Sequence, residues 1–128
     1  MTATRSTTRT DGRAMLARAW AAERDSARAA RIRGDVTGEW RHLERAHILS
    51  QPMVRPHLVT HAAMLAAAWR RRDRREVAGQ SLRLLLAAPG SVSGRYPAGN
   101  TGGADVSAFK PMPIPVDLRS LLTVKDPR

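Results

Sequence analysis

Histidine is the side chain in this chain best suited to chemistry, and all four, His42, His47, His57 and His61, fall within 20 residues. His57 and His61 stand four apart. On a helix that spacing turns both imidazoles to one face, close enough to grip a single metal ion. His47 lies before Pro52 and Pro56, on the preceding antiparallel helix, and faces the same interior. Glu44, three residues ahead of His47, adds a Glu-x-x-His pair of the kind helical bundles place around metals. Met64, one turn after His61, and Met53 offer thioethers, which favour copper. Three histidines, or two histidines and Glu44, suit zinc, copper, nickel or iron with an open coordination position. The competing expectation is structural. Helix-face histidines also serve as hydrogen-bonded core residues, and this pair lacks the adjacent glutamate of the H-E-x-x-H motif. His42 lies off the stripe and is expected at the surface.

Helices must position these groups, and the periodicity predicts four. Leu16, Ala19, Trp20, Ala27 and Ala30 recur at three- and four-residue spacing, predicting a first helix over 13–33 that Gly34 ends in a left-handed conformation. A second, over 37–51, takes Thr37 as its cap and carries Trp40, Leu43 and His47 on one stripe. A third, over 56–72, begins at Pro56, since proline is tolerated only in a first turn. It holds two stripes, one of His57, His61, Met64 and Ala68, the other of Leu58, Ala62, Leu65 and Trp69. Asp73 and Glu76 form an acidic capping box for a fourth helix over 74–88, with Val77, Ser81, Leu84, Leu85 and Ala88 inward, stopping at Pro89-Gly90. The two pairs repeat at 37–38 residues, near the ~34 of tetratricopeptide units. The expected fold is all-α, two tetratricopeptide-like α-hairpins; a closed four-helix bundle fits the same periods.

Gly and Pro supply ten of the 27 residues from Pro89 to Pro115, which excludes any long regular element. Yet the only Tyr and Phe of the chain, Tyr96 and Phe109, sit there with Val106, Met112 and Ile114. That predicts an ordered strap over 89–116, followed by a short helix over 117–122 capped by Asp117. Gly99-Asn100-Thr101-Gly102-Gly103 offers backbone N–H groups and two polar side chains; it is a tight turn before it is an anion nest, since it lacks the lysine and spacing of a P-loop. Folded back over the second and third helices, the strap would lid the histidines and bring Asn100, Thr101 and Tyr96 to the pocket. Residues 1–12 and 123–128 are expected to be tails flanking one helical domain over 13–122.

Composition removes several function classes. A chain of 128 residues has room for one modest core, and much of its 42% apolar content is alanine, which buries little surface. With no cysteine, disulfides, thiolate metal sites and thiol catalysis are all excluded. No apolar run reaches the roughly 18–20 residues needed to span a bilayer, and the N-terminus lacks a secretory pattern, so the expectation is a cytoplasmic protein with no membrane partner. The net charge of +11 peaks at Arg70, Arg71, Arg72, Arg74 and Arg75. This basic ridge could attract an acidic protein or nucleic acid, but no aromatic interleaves it to stack bases, and a solvated turn accounts for it. A protein partner or a homodimer is the expectation for a helical-repeat module with structural histidines. No nucleophile motif accompanies the histidines, so the pattern favours a binding protein over an enzyme.

Taken together, Leu43-Glu44-Arg45-Ala46-His47-Ile48-Leu49-Ser50-Gln51, Pro56-His57-x-x-x-His61-x-x-Met64, Trp69-Arg70-Arg71-Arg72-Asp73 and Tyr96-Pro97-x-Gly99-Asn100-Thr101-Gly102-Gly103, with the tail Phe109-x-Pro111-Met112-Pro113-Ile114-Pro115, resemble a family of short bacterial proteins of unknown function. The resemblance covers about residues 14–122. It implies that helices and strap form one unit, and it carries no activity to transfer.

Overall fold

Two turns of the same construction organise the chain. In the first, Gly34 adopts a φ of 74°, its N–H donates to Arg31 O at 3.0 Å and the Asp35 N–H donates to Ala30 O at 2.9 Å. In the second, 38 residues on, Arg72 adopts a φ of 56° with matching bonds to Trp69 O and Ala68 O, each 3.0 Å. These are paired Schellman closures, which satisfy the last carbonyls of a helix. Each is followed at once by an aspartate that caps the next helix, Asp35 accepting from Gly38 N at 2.8 Å and Asp73 from Glu76 N at 3.0 Å. The cap of the second helix is therefore Asp35 and not Thr37. Its carboxylate sits three residues before a glycine N–H, and a Cβ at Gly38 would fall 2.1 Å from that carboxylate.

The computed structural model describes residues 3–107 and 109–122. The helices are α1 (Ala3–Ile32), α2 (Val36–Ser50), α3 (Val54–Arg70), α4 (Arg74–Ser93) and α5 (Val116–Leu122), and no strand occurs among the described residues. The fold is all-α: α1 packs along α2, α3 along α4, and α2 meets α3 to join the hairpins, while α5 touches α1 and α2.

Three boundaries differ from those the sequence predicts. Helix α1 begins at Ala3, where a tail is expected over 1–12; that segment has no proline, and its single Gly12 costs a helix only about 1 kcal/mol. Helix α3 starts at Val54 and takes Pro56 into its first turn, where the missing N–H has no helical partner to lose. Helix α4 runs through Pro89 to Ser93, because the left-handed residue that ends it is Gly94, φ 70°, and not Gly90. Proline keeps a helical φ, so it removes one backbone bond without turning the chain.

The cores are small. Leu16, Ile48, Leu49, Met53 and Leu118 form one cluster, supported by Trp20 and Ile114; Ala27, Leu43, Met64 and Ala67 form another, with Trp40 at its edge. Buried Ala27, Ala30 and Ala46 contribute little area but allow close helix approach. Trp20 Nε1 donates to Thr60 Oγ1 at 2.8 Å, tying α1 to α3. The last turn of α2, from Ala46 to Ser50, is buried on every side, so its polar members must find internal partners.

Arg72 is the only non-glycine with positive φ among the described residues, in the position that Gly34 fills in the first turn. A side chain there costs roughly 1 kcal/mol. Arg72→Gly is therefore expected to raise the urea midpoint by an equivalent of about 1 kcal/mol, measured against Arg71→Gly, which should lower it.

Candidate metal centre

The buried end of α2 carries His47 inward, and the first two turns of α3 carry His57 and His61 towards it. Their Nε2 atoms form a triangle, 3.1 Å from His47 to His61, 3.1 Å from His47 to His57 and 3.1 Å from His57 to His61. All three residues are buried, and among the described residues they are the only group of three or more His, Asp or Glu side chains with converging ligand atoms.

Their outer nitrogens decide the protonation pattern. His47 Nδ1 lies 2.7 Å from Asn100 O, a carbonyl that can only accept, so Nδ1 carries the proton. His61 Nδ1 lies 2.7 Å from Gln80 Oε1. The orientation of that amide is fixed from its other end, because Gln80 Nε2 donates to Glu76 Oε1 and to Gly102 O, both at 2.7 Å. His61 Nδ1 is consequently a donor too. A neutral imidazole has one N–H, so both His47 Nε2 and His61 Nε2 turn lone pairs inward at 3.1 Å separation. The two cannot hydrogen-bond to each other, and the one other ring nitrogen at hand is His57 Nε2, 3.1 Å from both. A cation can meet both lone pairs.

Burial keeps the trio neutral. His47 is held well below its ordinary value, first by burial and then by His61 and His57; His57 is pushed to about 3 by burial and by His61; His61 is lowered by burial, with Gln80 opposing and Arg83 adding. Neutral imidazole is the metal-binding form.

The strap is the fourth wall, and polar side chains of the helices bind it down. Gln51 Nε2 donates to Pro97 O at 2.9 Å, both carboxylate oxygens of Glu76 accept from Ala104 N at 2.9–3.0 Å, and Arg83 reaches Gly103 O and Val106 O. Asn100, 2% exposed, organises the strap: its Nδ2 donates to Ser107 O and Lys110 O, and its Oδ1 accepts from Gly102 N at 2.9 Å. With Gly102 N bonded to Asn100 and Gly99 N to Gln51 Oε1, the segment is a bonded turn and not an anion nest. The strap folds over the histidines, and Asn100 meets His47 through its backbone carbonyl. Tyr96 lines the cavity beside them, and Thr101 is half-buried outside that lining.

Other residues singled out from the sequence lie elsewhere. Glu44 Oε1 accepts from Trp40 Nε1 at 2.9 Å, away from the triangle, and burial raises its carboxyl above the usual range. Met64 belongs to the apolar cluster with Leu43, and Met53 to the one with Leu49, which removes the thioether argument for copper. His42, expected at the surface, is half-buried, its Nδ1 2.7 Å from Glu23 Oε2. On the basic ridge, Arg70 pairs with Glu39 and the Arg71 guanidinium stacks 4.4 Å from the Trp40 ring centre, so part of its charge is satisfied within the molecule.

The model of the family described as "Protein of unknown function (DUF3703)" matches residues 14–122, both hairpins, the strap and all three histidines. The chain belongs to the DUF3703 family. No curated protein and no solved structure matched it. No described helix is long and apolar enough to cross a membrane.

Sequence reasoning missed the three α4 residues beneath the family's strap. Glu76, Gln80, Arg83 and Ala87 are the buried stripe of α4, at intervals of four, three and four residues, whereas Ser81 and Leu85 of the predicted stripe are exposed, Leu85 by 75%. The signal was present as a polar stripe at core spacing. Gln80→Leu is expected to leave the His61 tautomer unfixed and Gly102 O unpaired, lowering the urea midpoint by an equivalent of about 1–3 kcal/mol.

Proposed function

We propose that the protein binds one divalent transition-metal ion through Nε2 of His47, His57 and His61. The observation that carries this reading is the pair of inward lone pairs on His47 and His61, 3.1 Å apart and fixed by Asn100 O and Gln80. A proton cannot sit between these two nitrogens, since each ring holds its own on the outer nitrogen; only His57 Nε2 or a cation can meet both lone pairs.

The dimensions support the reading. With metal–nitrogen bonds of about 2.0–2.1 Å, a triangle of this size seats an ion roughly 1 Å out of its plane, at angles between octahedral and tetrahedral values. Three neutral nitrogens of borderline softness suit zinc, nickel, iron or copper(II), with copper(II) held most tightly by the usual order of affinities. The Gln80–Glu76 chain behind His61 is the outer support that such ligands commonly have.

The test is metal content. Protein purified without a His tag, loaded with zinc, copper, nickel or iron and freed of excess, is expected to retain one ion per chain, and His57→Ala/His61→Ala to retain none. Near-zero metal in both proteins under all four loadings would sink the proposal.

A further inference from the structure

The triangle is one wall of a cavity of about 90 Å³, and the charges around that cavity are one-sided. Its lining includes Arg83 and Arg95 and no aspartate or glutamate. Arg83 is 8% exposed and spends N–H groups on the carbonyls of Gly103 and Val106, while the carboxylates that offset its charge, Glu76 and Asp105, stand outside the cavity lining. The nearest buried carboxylate, Glu76, is committed to Gln80 Nε2 and Ala104 N. The remaining walls include Leu86, Ala87 and Phe109, so charge there is poorly screened.

Resting on the metal reading above, we propose that the bound ion keeps an open coordination position facing this cavity and takes a small monovalent anion there, with Arg83 balancing the anion's charge. Three neutral imidazoles leave the ion's two positive charges uncompensated, and the adjoining guanidinium adds a third. An anion entering from solvent lowers that excess. A neutral ligand does not. The step is a ligand exchange: the anion's lone pair forms a bond to the ion, a bound water leaves, and no electron changes hands. At about 10–15 Å³ for one water the cavity holds several, so hydroxide, a halide or a linear triatomic anion fits with room to spare, and a bulkier carboxylate probes the upper limit.

Cobalt(II) makes the proposal visible, because its absorption bands report both its presence and its ligands. Azide added to the cobalt-loaded full chain is expected to shift those bands saturably with one azide per cobalt, while the bulkier benzoate leaves them unchanged. Arg83→Met is expected to weaken azide binding about tenfold or more, read on protein shown by its own bands to be fully cobalt-loaded, and Arg83→Lys to recover part of it. Cobalt bands that azide does not move would overturn the open position and leave metal binding standing. Equal azide affinity in Arg83→Met would overturn the role of Arg83, and equally tight benzoate the size limit. Should Arg83→Met fail to fold, Arg83→Lys and the wild-type titration carry the test. Absence of cobalt bands would remove the metal reading itself, and this inference with it.

Discussion

In the absence of metal, the protein is expected to lose stability steeply as the pH falls below about 6.5, the ordinary histidine value, and to go on losing it towards about 3, the value of His57 in the fold. The sign follows from proton counting. All three buried histidines have folded values below their unfolded ones, so between those values the unfolded chain binds more protons and stability rises with pH. Each contributes up to about 1.4 kcal/mol per pH unit, so three together reach about 4 kcal/mol for each pH unit over which all titrate, against a total of roughly 5–15 kcal/mol for a domain of this size. Groups facing the trio do not reverse this: Arg83 favours the neutral histidines, and Asn100 O at His47 and Gln80 at His61 oppose burial without overcoming it. Glu44, whose raised carboxyl acts in the opposite direction, is one half-buried group against three buried ones. Urea midpoints of chelator-treated protein from pH 8 to 4 measure the effect, and a midpoint unchanged between pH 7 and 5 would contradict it. Zinc at a thousand times its dissociation constant should add about 4 kcal/mol at neutral pH and lose that advantage in acid, where protons compete for the same nitrogens.

That this trio could be found in the sequence at all depends on local rules. The four-residue spacing of His57 and His61 fixes their common face whatever the rest of the fold does, and Gly34, Asp73 and the prolines divide the chain well enough to set His47 opposite them. Local rules failed where a tertiary partner decides. Glu44 and Met64 have helix spacings as good as those of the ligands, yet Trp40 takes the one and the apolar cluster the other. Gln80 and Arg83 look like surface residues until the strap covers them, and α4 accordingly buries its polar stripe and leaves Leu82, Leu85 and Leu86 outside. Asn100 was read as a side chain over a pocket, but its side chain folds the strap and its carbonyl meets the histidine. The cover over Gln80 and Arg83 and the meeting of Asn100 O with His47 depend on contacts across 20 residues or more, which periodicity does not encode, whereas Trp40 takes Glu44 from only one helical turn away.

Gly102→Ala is expected to be among the most damaging single-methyl changes in the molecule. Gly102 holds a φ of 83°, and a Cβ there would lie 2.7 Å from Cγ and Cδ2 of the His47 ring. The ring has no simple retreat, since Asn100 O holds its Nδ1 and two other imidazoles stand against its Nε2. If the strap moves instead, Gly102 O leaves Gln80 Nε2, and the amide that fixes His61 loses an anchor. Left-handed strain and overpacking together cost about 2–4 kcal/mol, and displacement of one ligand should weaken metal binding by at least tenfold. Gly34→Ala separates the two causes. Its φ of 74° imposes the same backbone strain, but nothing lies within 4 Å of the added methyl, so it should cost only about 1 kcal/mol and leave metal affinity intact. Thermal unfolding with and without zinc, run on both variants, reads both quantities. Equal destabilisation and equal zinc response would show that the glycine serves the turn alone. A larger loss in Gly102→Ala, together with a weakened zinc response, would make the strap a working part of the histidine site.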